Sequence, residues 1–186
     1  MAEEKQESKL LKILIPSLCA LVLVACIVIF VLCLVPFKKT FTGEGYQITL
    51  NSKFTEKNEA NYITTYHGKQ IKVFVSKETF EDIKLWHERP NPEGETKEDY
   101  IAAAIETNKD KLEITTNGEV YTNGNLTYYE YESVYNNKSY SYRSYVFKTN
   151  DAFWQIQFGC ESSLKENLTE QIEQFAKSIV IENAVA

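Results

Sequence analysis

The chain has few of the residues from which active sites and metal sites are usually built. It contains two histidines, His67 and His87, and neither has a second histidine or a cysteine at the spacing of metal ligands. Its seven glycines lie singly, so the sequence contains no glycine-rich phosphate loop. We therefore predict no catalytic residues, no metal site and no cofactor.

Cysteine is scarce outside one segment. Of the four cysteines, Cys160 stands alone in the second half of the chain, and the other three lie in one apolar run: Cys19, Cys26 and Cys33. A single cysteine cannot form an internal disulfide, so a hydrophobic core must hold the fold together. Cys160 lies on the apolar face of a predicted strand, which is typical of a buried and inert thiol.

Positive charge is also in short supply. The chain has 20 lysines and arginines against 26 aspartates and glutamates, which gives a formal net charge of −6. An acidic domain repels the phosphate backbone of nucleic acids. We therefore expect no nucleic-acid partner.

What the chain does have is one long apolar run. Residues 13–37 carry no charge over 25 positions. A helix of that length rises about 37 Å, and the hydrocarbon core of a bilayer is about 30 Å thick. We predict a short cytoplasmic head over residues 1–12, one transmembrane helix over residues 13–37, a linker over residues 38–45 and an extracytoplasmic domain over residues 46–182. The predicted location is the cell membrane, with a single pass.

Cys26 leaves a second interpretation of this run open. The stretch Leu23–Cys26 resembles a lipobox, in which the cysteine would carry a lipid. The run continues without a charge to Phe37, however, and its length favours a helix. In both cases the lipid bilayer is the predicted partner of residues 13–37. Three lysines precede the run, Lys5, Lys9 and Lys12, and two follow it directly, Lys38 and Lys39, which gives only a small orientation bias toward a head inside the cell.

Hydrophobic periodicity predicts a mixed fold for the remainder. Alternating residues predict a strand at Tyr46–Leu50 and an antiparallel meander of three long strands: Leu126–Tyr135, Ser139–Lys148 and Ala152–Cys160. Helical spacing predicts a helix after Thr79 with Phe80, Ile83 and Trp86 on its apolar face, a second after Thr96, and a terminal helix behind the capping box Ser163–Glu166. The predicted fold class is α+β, with an antiparallel sheet and segregated helices.

Tyrosines are concentrated in this meander. Eight of the twelve fall between Tyr121 and Tyr145. Because side chains alternate along a strand, each face of the two long strands carries a defined set. Tyrosine is a good strand former on a half-buried surface, and it also offers rigid contact area with a polar tip. The candidate binding surface consists of Tyr129, Tyr131 and Tyr135 on one strand and Tyr140 and Tyr142 on the next.

Three segments resemble the PsbP-like superfamily, which is named for an extrinsic photosystem subunit and includes bacterial envelope relatives. They are Gly45–Leu50 (GYQITL), Ala152–Phe158 (AFWQIQF) and Phe175–Ile181 (FAKSIVI), and the order of elements is similar too. The resemblance covers about residues 45–182. It implies an α/β/α sandwich around an antiparallel sheet, and a noncatalytic accessory or binding role, often toward other proteins. It implies no set of catalytic residues.

Three functions are consistent with these observations. We expect a membrane-anchored, noncatalytic accessory or binding module of a bacterial envelope, with a protein partner at the membrane. The first alternative is a ligand-binding or sensing domain that uses the tyrosine face. The second is an envelope hydrolase, which would need His67 or His87 beside a nucleophile in a pocket.

The two interpretations of the apolar run give different results for one variant. We expect the full-length chain to stay with membranes after an alkaline wash, because a helix of 25 uncharged residues is held by the bilayer core. The Cys26→Ala variant should behave identically and should differ in mass only by the substitution. A variant that loses the mass of a lipid and leaves the membrane would instead identify Cys26 as a lipid-bearing residue.

Overall fold

The computed structural model describes residues 22–26, 37–108 and 119–185. The chain divides into two units, residues 1–37 and residues 38–186. Residues 22–26 are helical. Residues 13–21 and 27–36 of the predicted span, and the predicted head at residues 1–12, lie outside the described residues. Within the described residues, no helix has both the length and the apolar character that a bilayer crossing needs.

The second unit is built from strands and a few helices. In the part that the structure describes, the strands are β1 (Lys38–Gly43), β2 (Tyr46–Asn51), β3 (Thr55–Lys57), β4 (Thr64–His67), β5 (Lys72–Thr79), β6 (Val120–Asn123), β7 (Leu126–Tyr135), β8 (Lys138–Lys148), β9 (Ala152–Glu161) and β10 (Val180–Ile181). The α-helices are α1 (Phe80–Trp86), α2 (Lys97–Asn108) and α3 (Lys165–Ala176).

The strands form two antiparallel sheets. A three-stranded sheet has the order β1-β2-β10, and a seven-stranded sheet has the order β3-β4-β5-β9-β8-β7-β6. The predicted α+β class and the meander β7-β8-β9 are confirmed. The expectation of one sheet is wrong, because β2 pairs with β1 and β10 instead of joining the meander.

The predicted linker at residues 38–45 is part of the fold. Lys38–Gly43 is strand β1, and a turn through Gly45 returns the chain to β2. Gly45 has a φ of +83°, a backbone conformation that glycine adopts without strain. The side chain of Phe41 is buried in the core, whereas Lys38 and Lys39 are exposed. Only one apolar residue points inward, so the alternation is too short to reveal the strand.

One hydrophobic core lies between the seven-stranded sheet and α3; we call it the α3-side core. It receives alternate side chains of β9, as the sequence predicts: Trp154, Ile156, Phe158 and Cys160. The helix contributes Leu168, Ile172, Phe175 and Ala176. The three-stranded sheet joins this core, and a buried hydrogen bond of 2.7 Å between the hydroxyls of Tyr46 and Tyr66 links the two sheets.

A smaller core covers part of the opposite sheet face; we call it the α2-side core. Phe80 and Ile83 of α1 and Ile101 of α2 are buried there. Tyr100 of α2 stacks on Phe153 of β9 with ring centroids 4.4 Å apart. Helices therefore cover both faces of the seven-stranded sheet, as expected for an α/β/α sandwich.

The helix starts are partly as predicted. Thr79 and Asp82 form a reciprocal capping box at the start of α1, and the side chains of Thr96 and Asp99 do the same for α2. The capping box predicted at Ser163–Glu166 is absent. A 3-10 turn at Ser162–Leu164 places Ser163 inside a turn, so it cannot accept a bond from α3.

Trp86 also differs from its predicted position on the apolar face of α1. Its side chain is 73% exposed. The helix has only seven residues, and Trp86 is the last of them. The α2-side core takes Phe80 and Ile83 from the first turns, while Trp86 stays in solvent.

Alanine substitutions of a buried and an exposed isoleucine distinguish the contribution of core packing from that of surface contacts. Replacing Ile156, which is fully buried, with alanine should lower the free energy of unfolding by about 2–5 kcal/mol, because the missing side chain leaves a cavity. The same change at Ile63, which is 45% exposed, should cost less than about 0.5 kcal/mol. Urea unfolding followed by the fluorescence of the buried Trp154 measures both. Equal losses would contradict the assignment of Ile156 to the α3-side core.

Candidate functional site

A cleft of about 730 Å³ opens between the seven-stranded sheet and α2. Its floor is part of the sheet face that carries the α2-side core, and two tyrosines of that core, Tyr129 and Tyr131, also line the cleft. Helix α2 forms one wall. Side chains from four neighbouring strands line the cleft: Phe74, Gln155, Gln157, Tyr142, Tyr129 and Tyr131. Strand pairing places these residues together, since they come from β5, β9, β8 and β7.

Two glutamines of the central strand β9 occupy the middle of the floor. Gln157 stands opposite Phe74 of β5 on one side and Ser144 of β8 on the other. Gln155 is two residues away, on the same face of β9. Both are partly exposed, whereas their neighbours Trp154, Ile156 and Phe158 are buried in the α3-side core. The alternation of side chains along β9 therefore gives it one apolar face and a second face on which Gln155 and Gln157 follow the buried Phe153.

Three stacked tyrosines line one side of this amide floor. Tyr131 and Tyr142 are direct cross-strand partners, and their rings are 4.9 Å apart with 16° between the planes. Tyr129 continues the stack at 5.9 Å from Tyr131. The ring of Tyr142 lies over Gly159, where a Cβ atom would be 2.7 Å from its Cε1. Glycine at this position is what allows the Tyr142 ring to lie close to the sheet.

Aromatic rings also line the opposite side. Tyr62, from the connection between β3 and β4, contacts Phe74 of β5 with ring centroids 4.9 Å apart. The two glutamines thus lie between two aromatic walls. Such walls present apolar faces, and the tyrosines add polar hydroxyl tips.

Hydrogen bonds fix the orientation of the glutamines. Gln155 Nε2 donates to the hydroxyl of Tyr129 at 2.6 Å. Ser144 Oγ donates to Gln157 Oε1 at 3.0 Å. The carboxamides are therefore held in defined orientations within the sheet surface, as a preformed site requires.

Charged groups border the cleft at the end where α1 meets α2. Glu78 Oε1 lies 2.7 Å from His87 Nε2, and Glu78 Oε2 accepts a hydrogen bond of 3.0 Å from the hydroxyl of Tyr100. Arg89 forms a two-pronged ion pair with Glu95, with 2.9 Å from its Nε to Oε1. This end of the cleft is thus a set of mutually satisfied polar groups.

Burial raises the pKa values of the cleft tyrosines. It raises the pKa of Tyr129 above the ordinary tyrosine value, although hydrogen bonds with Ser144 and Gln155 oppose the shift. Burial and the neighbouring Tyr129 and Tyr142 also raise the pKa of Tyr131, although a hydrogen bond from Gln157 opposes the shift. Burial and the carboxylate of Glu78 raise the pKa of Tyr100 well above its usual range. At neutral pH these hydroxyls are therefore uncharged donors and acceptors.

The structure brings together three of the five predicted surface tyrosines. Tyr129, Tyr131 and Tyr142 line the cleft. Tyr140 shares their sheet face but lies one row further out, opposite Ser133, and it is half-buried outside the cleft. Tyr135 is 66% exposed beside the β7–β8 turn. The alternation of side chains along a strand determines the sheet face on which each tyrosine lies. The position of α2 over that face determines which of these tyrosines line the cleft.

Several cleft residues come from parts of the sequence that carry no obvious site signal. They are Tyr62, Phe74, Glu78, Arg89 and Tyr100. The alternation of β9 does separate Gln155 and Gln157 from the apolar residues between them, and that was the available signal. The others meet the glutamines only because β5 pairs with β9 and α2 folds over the sheet.

Of the histidines and the cysteine considered for catalysis, His87 lines the cleft, whereas His67 and Cys160 do not. His67 does not line the cleft, and its Nε2 is 2.6 Å from Glu59 Oε1. Cys160 is buried in the α3-side core, where burial raises the pKa of its thiol. Among the described residues, no cluster of three or more histidine, cysteine, aspartate or glutamate side chains is arranged to hold a metal ion.

Comparison with known proteins places the fold. No family model matches the chain, and a search of curated proteins finds no match. Cyanobacterial PsbP (CyanoP) from Synechocystis sp. PCC 6803 matches with 11% identity and a TM-score of 0.50, over 79% of this chain and 94% of that one. The domain has a PsbP-like fold. The Ran-binding protein Mog1p of Saccharomyces cerevisiae matches with 9% identity and a TM-score of 0.51, over 79% of this chain and 96% of that one.

The PsbP-like fold accounts for the arrangement of sheet and helices, but it gives no information on what the cleft of this chain binds. At 11% and 9% identity, the likeness shows the fold alone. The tyrosine stack and the two glutamines of β9 therefore have to be interpreted from their own geometry.

Proposed function

We propose that this protein is a membrane-anchored, noncatalytic binding module and that the cleft over the tyrosine face holds its ligand. The observation that carries the proposal is the cleft itself, about 730 Å³ in volume and lined by Tyr129, Tyr131 and Tyr142 around the amides of Gln155 and Gln157. Ligand sites are typically concave and about 300–1,000 Å³ in volume, with aromatic walls and a few oriented polar groups.

The polar groups of the cleft support binding without catalysis. The imidazole of His87 contacts the carboxylate of Glu78, and the second oxygen of that carboxylate accepts from Tyr100. In hydrolases with a serine, threonine or cysteine nucleophile, that residue lies within hydrogen-bond reach of the base, whereas the close partner of His87 is the carboxylate of Glu78. The contacts of His87 instead stabilise the junction of β5, α1 and α2.

The apolar run supports the location. Residues 13–37 are long enough to cross a bilayer, and the folded unit begins at Lys38. We propose that it faces the outside of a bacterial cell, within reach of ligands and partners of the envelope.

A second candidate function is that of an accessory module bound to a membrane protein. It is favoured by the tip of the β7–β8 hairpin, where the side chains of Val134 and Tyr135 are exposed. Exposed aromatic and aliphatic side chains are typical of protein contacts. This surface is separate from the cleft, so the two functions respond to different substitutions.

Two alanines of α2 provide a matched test of the cleft. Ala103 lines the cleft, and Ala102 is exposed on another side of the same helix. The Ala103→Trp variant should fill the cleft and abolish ligand binding, whereas Ala102→Trp should bind as the parent chain does. A thermal-shift screen of the full-length chain against a diverse small-molecule library measures this. Ligands raise the melting temperature by mass action on the folded state.

The screen has clear opposing outcomes. Compounds that stabilise the parent chain and Ala102→Trp, but not Ala103→Trp, would establish the cleft as the binding site. Circular dichroism of both variants checks that the tryptophan has not unfolded α2. If no compound distinguishes Ala103→Trp from Ala102→Trp, the cleft is not the binding site. Loss of a captured membrane protein in Tyr135→Ala alone would favour the accessory function.

A further inference from the structure

The permanent cations that line the cleft already have partners within the chain. Lys77 Nζ lies 2.9 Å from Asp151 Oδ2 and 5.5 Å from the ring centroid of Trp154. Arg89 is held by both oxygens of Glu95. A phosphate or carboxylate ligand would have to displace one of these carboxylates, so the described part of the cleft is poorly suited to an anion.

The carboxylate that lines the cleft is occupied as well. Each oxygen of Glu78 has a close partner, His87 on one side and Tyr100 on the other. A cationic ligand would gain the charge of Glu78 only by breaking one of these contacts. The charges that the described residues bring to the cleft thus serve the fold, and we expect a ligand that carries none.

The floor excludes a purely apolar ligand. Gln155 and Gln157 lie at its centre, with Ser76 and Ser133 at its margins. A lipid chain lying on these groups would strip them of water without replacing their hydrogen bonds, which is unfavourable for each group. The ligand must therefore offer hydrogen-bonding groups to the floor while presenting apolar surface to the aromatic walls.

The two glutamines offer complementary groups. Gln155 uses one N–H in its bond to Tyr129, so its carbonyl oxygen is an acceptor at the floor. Gln157 accepts from Ser144 through its carbonyl oxygen and donates one N–H to the hydroxyl of Tyr131, so the second N–H of its NH₂ group is a donor. Hydroxyl groups both donate and accept, and a row of them can bond to an acceptor and a donor placed two residues apart on one strand.

These features select one class of ligand. We infer that the cleft binds an uncharged carbohydrate, whose hydroxyl groups bond to Gln155 and Gln157 and whose C–H faces pack on the aromatic walls. This inference rests on the proposed function of the cleft. A sugar ring carries hydroxyls around its edge and C–H groups on its faces. The aromatic walls, Tyr62 with Phe74 and Tyr142 with Tyr131, stand on the two sides of the amide floor.

A peptide fits the same site less well. Extended peptides usually bind by adding a strand to an unpaired sheet edge, where backbone hydrogen bonds supply affinity. The cleft lies over β5, β9 and β8, which are paired on both sides in the sheet. Their backbone groups are already used, so only side chains can recognise the ligand.

A glycan array, probed with the full-length chain, tests the inference. The chain should be purified in a detergent without a sugar headgroup, because a maltoside would compete for the cleft. We expect the parent chain to bind a subset of uncharged glycans, with Ala102→Trp unchanged and Ala103→Trp inactive. Gln155→Leu should weaken the affinity for those glycans about tenfold, through the loss of a hydrogen bond. Gln47→Leu, at an exposed position of β2, should have no effect.

The other outcomes would overturn the inference. A preference for charged glycans would contradict an uncharged ligand, and binding to a peptide array that Ala103→Trp abolishes would identify a peptide site. Non-sugar compounds that bind in the thermal-shift screen and are blocked by Ala103→Trp would preserve the cleft as a binding site while refuting the carbohydrate. If Ala103→Trp blocks nothing in either experiment, both the cleft and the carbohydrate are refuted.

Discussion

Successive side chains of a strand point to opposite faces of a sheet, and in this domain that constraint acts most strongly on β9 (Ala152–Glu161). The strand lies between β5 and β8 near the middle of the seven-stranded sheet. Its apolar residues Trp154, Ile156 and Phe158 point into the α3-side core. Gln155 and Gln157 are thereby placed on the other face, under the cleft. The packing of the core and the position of the candidate site thus follow from the same alternation.

The cleft exists because the second face of the sheet is covered only in part. Phe80, Ile83 and Ile101 of the short helices α1 and α2 bury Phe153 and its surroundings, but the amide floor beside them remains accessible. A fully apolar face of this size would need a complete cover, whereas glutamines and tyrosine hydroxyls tolerate water. The composition of this face is therefore consistent with an open cleft that is ready to exchange water for a ligand.

Local patterns predicted the parts of the fold that depend on neighbouring residues. The strands β7, β8 and β9 and the apolar stripe of α3 are periodic patterns, and the cap at Thr79 is a motif of a few residues. Each could therefore be recognised from the local sequence. Strand β1 was not predicted, because its single buried residue, Phe41, gives no period. Tyr129 and Tyr135 lie on one face by the same alternation, yet only the first lies in the cleft. That difference, like the meeting of Glu78 with Tyr100, arises from pairings distant in sequence.

The most direct test of the cleft is to observe its tyrosines while a ligand binds. The full-length chain can be labelled with ¹³C at the tyrosine rings and titrated with the compound that stabilises it most, with signals assigned by single Tyr→Phe substitutions. If the cleft is the binding site, the ring signals of Tyr129, Tyr131 and Tyr142 should shift together and saturate at one affinity, while that of Tyr135 stays in place. Shifts confined to Tyr135 and Tyr140, with the three cleft tyrosines unchanged, would contradict it.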